Sequence, residues 1–411
     1  LILLAPVVLV SSRVEADRAG DDSASRRFRE ELPLHPFPRL DAEGLPVGIS
    51  LTSPRDGERI ESAVPMVEVS GTVGISGQSE HLVVLAVDAS GSAFRASGAD
   101  IDRDGHLGTE LCAHPSCGYP TRWTTDYDDN VLSAEVRAAR ALVELLEGSR
   151  TRMGIITFGR TPRRYKRIQE LDGIVRALKR FPRKPRSGTD LVTAIDRCIE
   201  MLAGADRGGR ATRSVILLSD GKMLFRSPED PGQARQVAAE YLRLGIQRAR
   251  DANVRVFSFA VGPRAYEPYM RHIAESTGGS YTRVSDPAAV ITMLPMINLS
   301  DLSDVEVTNT TTGEPGRAIR VFPNGSFDGF VPLVAGTNLL SIEATMLSGR
   351  RIETRLELTY EKPPPSAADR GEQKRLLELL KLRRLETDLA RRAQVERRRA
   401  RLGRDLKIEA E

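Results

Sequence analysis

The chain has 411 residues, 40% hydrophobic and 28% charged, a balance that fits two or three folded domains and excludes a wholly disordered polymer. Three cysteines are too few for a disulfide framework, and no segment offers the ~18 uninterrupted apolar residues that a spanning helix needs. The net charge of +4 conceals an asymmetry: residues 362–411 hold 15 Lys/Arg and 9 Asp/Glu, so the tail carries the basic excess and says little about the folded part.

Leu1–Val10 is an apolar run of the length of a signal-peptide hydrophobic region, and Val14-Glu15-Ala16 puts small residues at −3 and −1 of a cleavage site. Residues 1–16 therefore read as a signal remnant, and the protein as exported: secreted, periplasmic or surface-associated, and bacterial. A frayed apolar terminus is the plain alternative. Residues 17–46 are polar and Pro-containing, a linker. Residues 47–77 alternate apolar and polar positions around a turn at Arg55-Asp56-Gly57, which predicts half-buried antiparallel strands.

From 78 to 299 the pattern changes to strand–helix alternation. Strands are predicted at 82–87, 153–158, 214–218, 254–261 and 280–284, with helices at 131–147, 173–180, 190–202, 232–251 and 266–276. Repeated β–α units imply an α/β fold, a doubly wound, mostly parallel sheet with helices on both faces. Cys198 falls in an apolar helical stretch and reads as a buried thiol.

The first strand, Leu82–Val87, runs into Asp88-Ala89-Ser90-Gly91-Ser92. Open α/β sheets bind ligands at the carboxyl ends of their strands, so hard oxygen donors stand where a site belongs. Alone, the five residues could equally be a helix cap. Two further pieces recur in order: Ser187-Gly188-Thr189-Asp190 before a helix, and Ser219-Asp220-Gly221 after a strand. With Phe257–Gly262 and Ile273–Tyr281, this set resembles the von Willebrand factor type A family over residues 80–297. The resemblance implies a metal-ion-dependent adhesion site. Ser90 and Ser92 would ligate through their hydroxyls, Thr189 directly or through water, and Asp88 and Asp220 mainly through bound waters. Such a set suits Mg²⁺ or Mn²⁺. It would leave the ion positive enough to take a carboxylate from a protein ligand offering Asp or Glu.

Between the first motif and the helix at Val131 lies an inserted loop, 95–130. Its Asp100-Ile101-Asp102-Arg103-Asp104-Gly105-His106 resembles an EF-hand calcium loop, but the twelfth position is Leu111 rather than Glu. Asp126, Asp128 or Asp129 could substitute; a solvated acidic turn is the alternative to Ca²⁺. In an exported protein Cys112 and Cys117 would form a disulfide. A zinc site from His106, Cys112, His114 and Cys117 has no accepted spacing. Trp123 reads as a small local core. Residues 160–186, with 11 Lys/Arg and 2 Asp/Glu, could steer an acidic partner or simply be solvated faces of an edge strand and a helix. They lack the aromatic interleaving of a nucleic-acid surface.

After residue 300 the all-β pattern returns to 361, with turns predicted at 323–326 and 335–338. Residues 47–77 and 300–361 resemble two parts of one bacterial Ig-like β-sandwich into which the α/β domain is inserted; a separate C-terminal β domain is the alternative. Pro363–Pro365 then break the fold, and 362–411 predict a charged helical or coiled-coil tail, able to self-associate. Three functions follow: a metal-dependent binding protein, a structural protein in which the metal mainly stabilises the fold, or a hydrolase. Against the last, no Ser-His-Asp or Cys-His set and no His near the metal motifs is visible, so no enzyme is expected.

Overall fold

The computed structural model describes residues 47–75, 80–111, 124–147, 149–181, 184–206, 208–209, 211–221, 231–263, 265–362 and parts of 371–382. The signal remnant, the linker, Cys112, His114, Cys117, Trp123 and the tail beyond 382 lie outside these residues. Within them no helix is long and apolar enough to cross a membrane.

The chain begins with three strands, β1 (Val47–Ser53), β2 (Glu58–Glu61) and β3 (Met66–Ile75). It then enters the α/β part. β4 (Glu80–Asp88), β5 (Thr151–Phe158), β6 (Arg163–Gln169), β7 (Ala211–Ser219), β8 (Val254–Val261) and β9 (Tyr281–Val284) form one sheet in the order β6-β5-β4-β7-β8-β9. All neighbours are parallel except the edge strand β6, which runs antiparallel to β5. β6 reads Arg-Arg-Tyr-Lys-Arg-Ile-Gln, and its positive charges guard an edge that could otherwise pair with another chain.

Helices α1 (Val131–Leu145), α2 (Leu171–Lys179), α3 (Leu191–Ala205), α4 (Pro231–Asp251), α5 (Glu267–Ser276) and the short α6 (Val290–Met293) cover both faces. β4 shows why. Its side chains alternate, so Val83, Leu85 and Val87 join one core with α1 and α2, while Leu82, Val84 and Ala86 join a second with α3, α4 and α5. A strand buried on both sides must be apolar throughout, which is the run seen in the sequence. Cys198 is a buried free thiol on α3.

The C-terminal strands are β10 (Leu302–Asn309), β11 (Glu314–Pro315), β12 (Arg317–Val321), β13 (Ser326–Pro332), β14 (Gly336–Met346) and β15 (Arg351–Glu361). They pair with the N-terminal ones. One sheet has the order β1-β3-β13-β12, the other β11-β10-β14-β15-β2. A single apolar core containing Val69, Val73, Phe327, Leu340, Ile342 and Leu358 draws on both ends of the chain. Gly336–Asn338, predicted as a turn, begin β14 instead.

The two parts meet at the amino ends of the parallel strands. Arg255, early in β8, donates to Leu299 O (3.0 Å) and to Asp301 Oδ2 (2.7 Å). Asn324, in the turn before β13, donates to Thr151 Oγ1 at 3.0 Å. His81, early in β4, is buried against Ser214 Oγ at 2.8 Å.

Candidate metal centre

At the opposite end of the sheet, three loops converge. β4 delivers Asp88, whose Oδ1 accepts from Ser90 N at 2.8 Å and turns the chain sharply after the strand. A 3₁₀ turn, Gly91–Phe94, follows, anchored by the fully buried Phe94. The turn leaves Ser90 Oγ and Ser92 Oγ 2.9 Å apart.

The Thr189 loop is stitched through the backbone to the first motif and to the residue that follows β5. Arg186 N donates to Ala89 O (2.7 Å) and Asp190 N to Gly159 O (2.9 Å). Asp190 caps α3 by accepting from Val192 N (3.0 Å) and Thr193 N (3.1 Å), which fixes the buried Thr189 one residue earlier.

β7 supplies the third loop. Asp220 O accepts from Tyr266 N at 2.6 Å. Gly221 has φ +71, and a Cβ there would lie 2.4 Å from Tyr266 O, so both conformation and space require glycine.

Asp88, Ser90, Ser92, Thr189 and Asp220 all line one cavity of about 330 Å³. Two carboxylates and three hydroxyls, with no nitrogen or sulfur donor, match the chemistry of a hard divalent cation. Two residues to which the sequence reading gave no role in the site complete the surroundings. Ser219 Oγ donates to Asp88 Oδ2 at 2.6 Å and accepts from Gly221 N at 3.0 Å, linking two of the loops. Glu135, on α1, lines the same cavity and is buried. Burial first, then the charge of Asp220, holds the Asp88 carboxyl well above the usual carboxylate range. Burial and the charges of Asp88 and Asp220 raise Glu135 likewise.

A larger cavity, about 910 Å³, lies at the other end of the sheet, where Glu80, Arg152, Arg197, Glu200 and Asp206 are among its walls. Its three carboxylates are each paired with an arginine: Glu80 with Arg152, Glu200 with Arg197 and Asp206 with Arg213. Among the described residues no metal-type cluster of His, Cys, Asp or Glu falls there, so size does not mark the chemical site.

The inserted loop is held at both ends beside the first motif. Ala96 bridges Asn130, Ser97 N donates to Asp129 O (2.8 Å), and Val131 N donates to Arg95 O (3.0 Å). Arg95 and Glu110 form an ion pair of 2.9 Å at the cavity wall. Carboxylate oxygens of Asp100, Asp102 and Asp129 lie within 4.8 Å of one another, as do those of Asp102, Asp126 and Asp128. Asp129 is buried and accepts from Ile101 N and from Gly108 N (2.9 Å). Asp104 and His106 stay outside these groups: His106 N donates to Asp104 Oδ1 at 2.7 Å, and the His106 side chain is 84% exposed.

Residues 129–295 match the family model of the von Willebrand factor type A domain. The chain contains such a domain, with Thr189 and Asp220 inside the matched stretch and the Asp88–Ser92 motif ahead of it, across the inserted loop. Among solved structures, the chain is similar to a von Willebrand factor type A protein from Catenulispora acidiphila (14% identity, 79% of this chain and 75% of that chain, TM-score 0.38). It is also similar to the conserved hypothetical protein BatB from Bacteroides thetaiotaomicron (17%, 53% and 96%, TM-score 0.35). A third is proximal thread matrix protein 1 from the mussel byssus, with a zinc-occupied MIDAS motif (14%, 55% and 49%, TM-score 0.38). No curated protein matches in sequence.

Proposed function

We propose that this chain is an exported, metal-dependent binding protein rather than an enzyme. Asp88, Ser90, Ser92, Thr189 and Asp220 hold Mg²⁺ or Mn²⁺, and the ion takes a carboxylate from an Asp or Glu of a protein partner. The observation that carries this is the convergence of five oxygen donors, from three separate loops, on one cavity at the carboxyl end of the sheet. Mg²⁺ keeps several waters, so part of its shell stays exchangeable for an outside oxygen. Export rests on the apolar Leu1–Val10 run.

Ca²⁺ in the inserted loop is a further part of the proposal, supported by the grouping of Asp100, Asp102, Asp126, Asp128 and Asp129. A second reading, assembly through the tail, is supported by Leu377, Leu379 and Leu382, which are exposed on the described part of a helix. Deleting 363–411 then lowers the sedimentation coefficient beyond the loss of mass.

The test of the main reading is the double variant Asp88→Ala with Ser90→Ala. Wild type should bind Mn²⁺ by titration calorimetry and capture partners from secreted material in an EDTA-sensitive way. The double variant should do neither while keeping the wild-type circular dichroism spectrum. Capture that survives both EDTA and the substitutions would reject the adhesive role.

A further inference from the structure

The five residues just described leave one group without a role. Glu135 sits one turn into α1, on the face that carries Leu132, Ala138, Ala139 and Leu142 into the core. It is 1% exposed, and among the described residues its Oε2 accepts no hydrogen bond. A buried carboxylate oxygen without a donor is costly, and native structures keep few of them. The position is one at which an apolar residue would pack and stabilise the helix. Instead the side chain lines the cavity of Asp88, Ser90 and Thr189, within electrostatic reach of Asp88 and Asp220. Of the four carboxylates that line the cavity, Glu110 is paired with Arg95, which leaves Asp88, Asp220 and Glu135 to repel one another; among the described residues no Lys or Arg pairs with Glu135. A cation in that cavity would answer both the orphan oxygen and the crowding of like charges.

We infer that Glu135 is a third acidic group of the metal centre, facing the cation from the helix behind the first loop and holding it before any partner arrives. This rests on the reading that Asp88, Ser90, Ser92, Thr189 and Asp220 bind a divalent ion. Glu135 adds negative charge to the cavity without drawing on the hydroxyls or on the partner's carboxylate. It acts directly on the ion or through one of its waters; groups at either distance change metal affinity by about 10–100-fold when removed.

The experiment compares the full chain with Glu135→Gln and Glu135→Asp, using Mn²⁺ alone as the probe, read by electron paramagnetic resonance and by the thermal shift on adding metal. Glu135→Gln keeps the shape and removes the charge. It should weaken the Mn²⁺ Kd at least about tenfold, while melting in EDTA at or above the wild-type temperature because one crowded carboxylate is gone. Glu135→Asp should fall between the two, showing that charge rather than packing sets the affinity. A Glu135→Gln Kd within twofold of wild type overturns the inference while leaving the five-residue site intact. Absence of Mn²⁺ binding by wild type itself instead overturns the underlying reading, so the two failures are distinct.

Discussion

Asp88 and His81 stand at opposite ends of β4, and each is a buried ionisable group whose surroundings disfavour its charge. For His81, burial comes first and the Arg255 charge second; together they lower its pKa to about 3. The unfolded chain binds a proton near pH 6.5, and the folded chain does not until about pH 3. Stability from the neutral ring is therefore complete above pH 6.5 and is lost as pH falls toward 3, by up to about 1.4 kcal/mol per pH unit. In the metal-free protein Asp88 acts in the opposite sense, because its raised pKa makes folding less favourable as pH rises. His81→Asn separates the two. Its urea-unfolding free energy should fall less steeply than that of wild type between pH 6 and 4; parallel curves would show that His81 does not titrate as its burial demands. Neither the bond of Ser219 to Asp88 nor the place of Glu135 was legible beforehand, for a physical reason. Ser219 acts on a carboxylate 131 positions away in sequence, and Glu135 looks like any charged helix residue until its register places it at the core.

At the scale of elements, the parallel strands were readable because burial on both faces leaves an unbroken apolar run. Donors at strand ends were readable because they interrupt such runs. β6 and the helix after it match the plainer of the two readings of residues 160–186, solvated faces of an edge strand and a helix, although the charged run alone does not mark where the strand begins. The inserted loop has no periodicity at all; its form is set by Asp side chains accepting from their own backbone, as where Asp100 takes Arg103 N (2.6 Å) and Asp126 takes Asp128 N (2.8 Å). α3 ties fold to site most directly. Asp190 caps it and also accepts from Tyr241 OH of α4 at 3.1 Å. Asp190→Ala removes two capping bonds and this inter-helix tie, at a cost of about 1–2 kcal/mol. For a domain of this size that is a melting decrease of roughly 2–8 °C, measurable by calorimetry. Because Thr189 is the preceding residue, Mn²⁺ affinity should weaken in the same variant, and Asp190→Asn should recover most of both losses. A melting loss with unchanged affinity would mean that the cap serves the helix alone.

For the whole molecule, strand pairing decides which pieces of chain can fold separately. β13 is flanked by β3 on one side and β12 on the other, with seven residue pairs joining it to β3. Phe327 of β13 packs so closely over Gly71 of β3 that a Cβ there would lie 2.9 Å from its ring. Without residues 47–75, β13 would present an unpaired edge, and the apolar core would lose Val67, Val69 and Val73. Both crossings into the α/β part lie at the amino ends of its strands, next to His81 and Arg255, while the metal residues lie at the carboxyl ends. A nine-residue strand such as β4 separates the two by about 30 Å, so the β sheets attach at the end of the domain away from the candidate metal residues. Residues 300–361 expressed alone should therefore give poorly dispersed amide resonances, and adding a peptide spanning 47–75 should restore native-like dispersion. A well-dispersed spectrum from 300–361 alone would mean that the N-terminal strands merely decorate an independent β domain, and that nothing in the sandwich fixes the direction in which the metal face points.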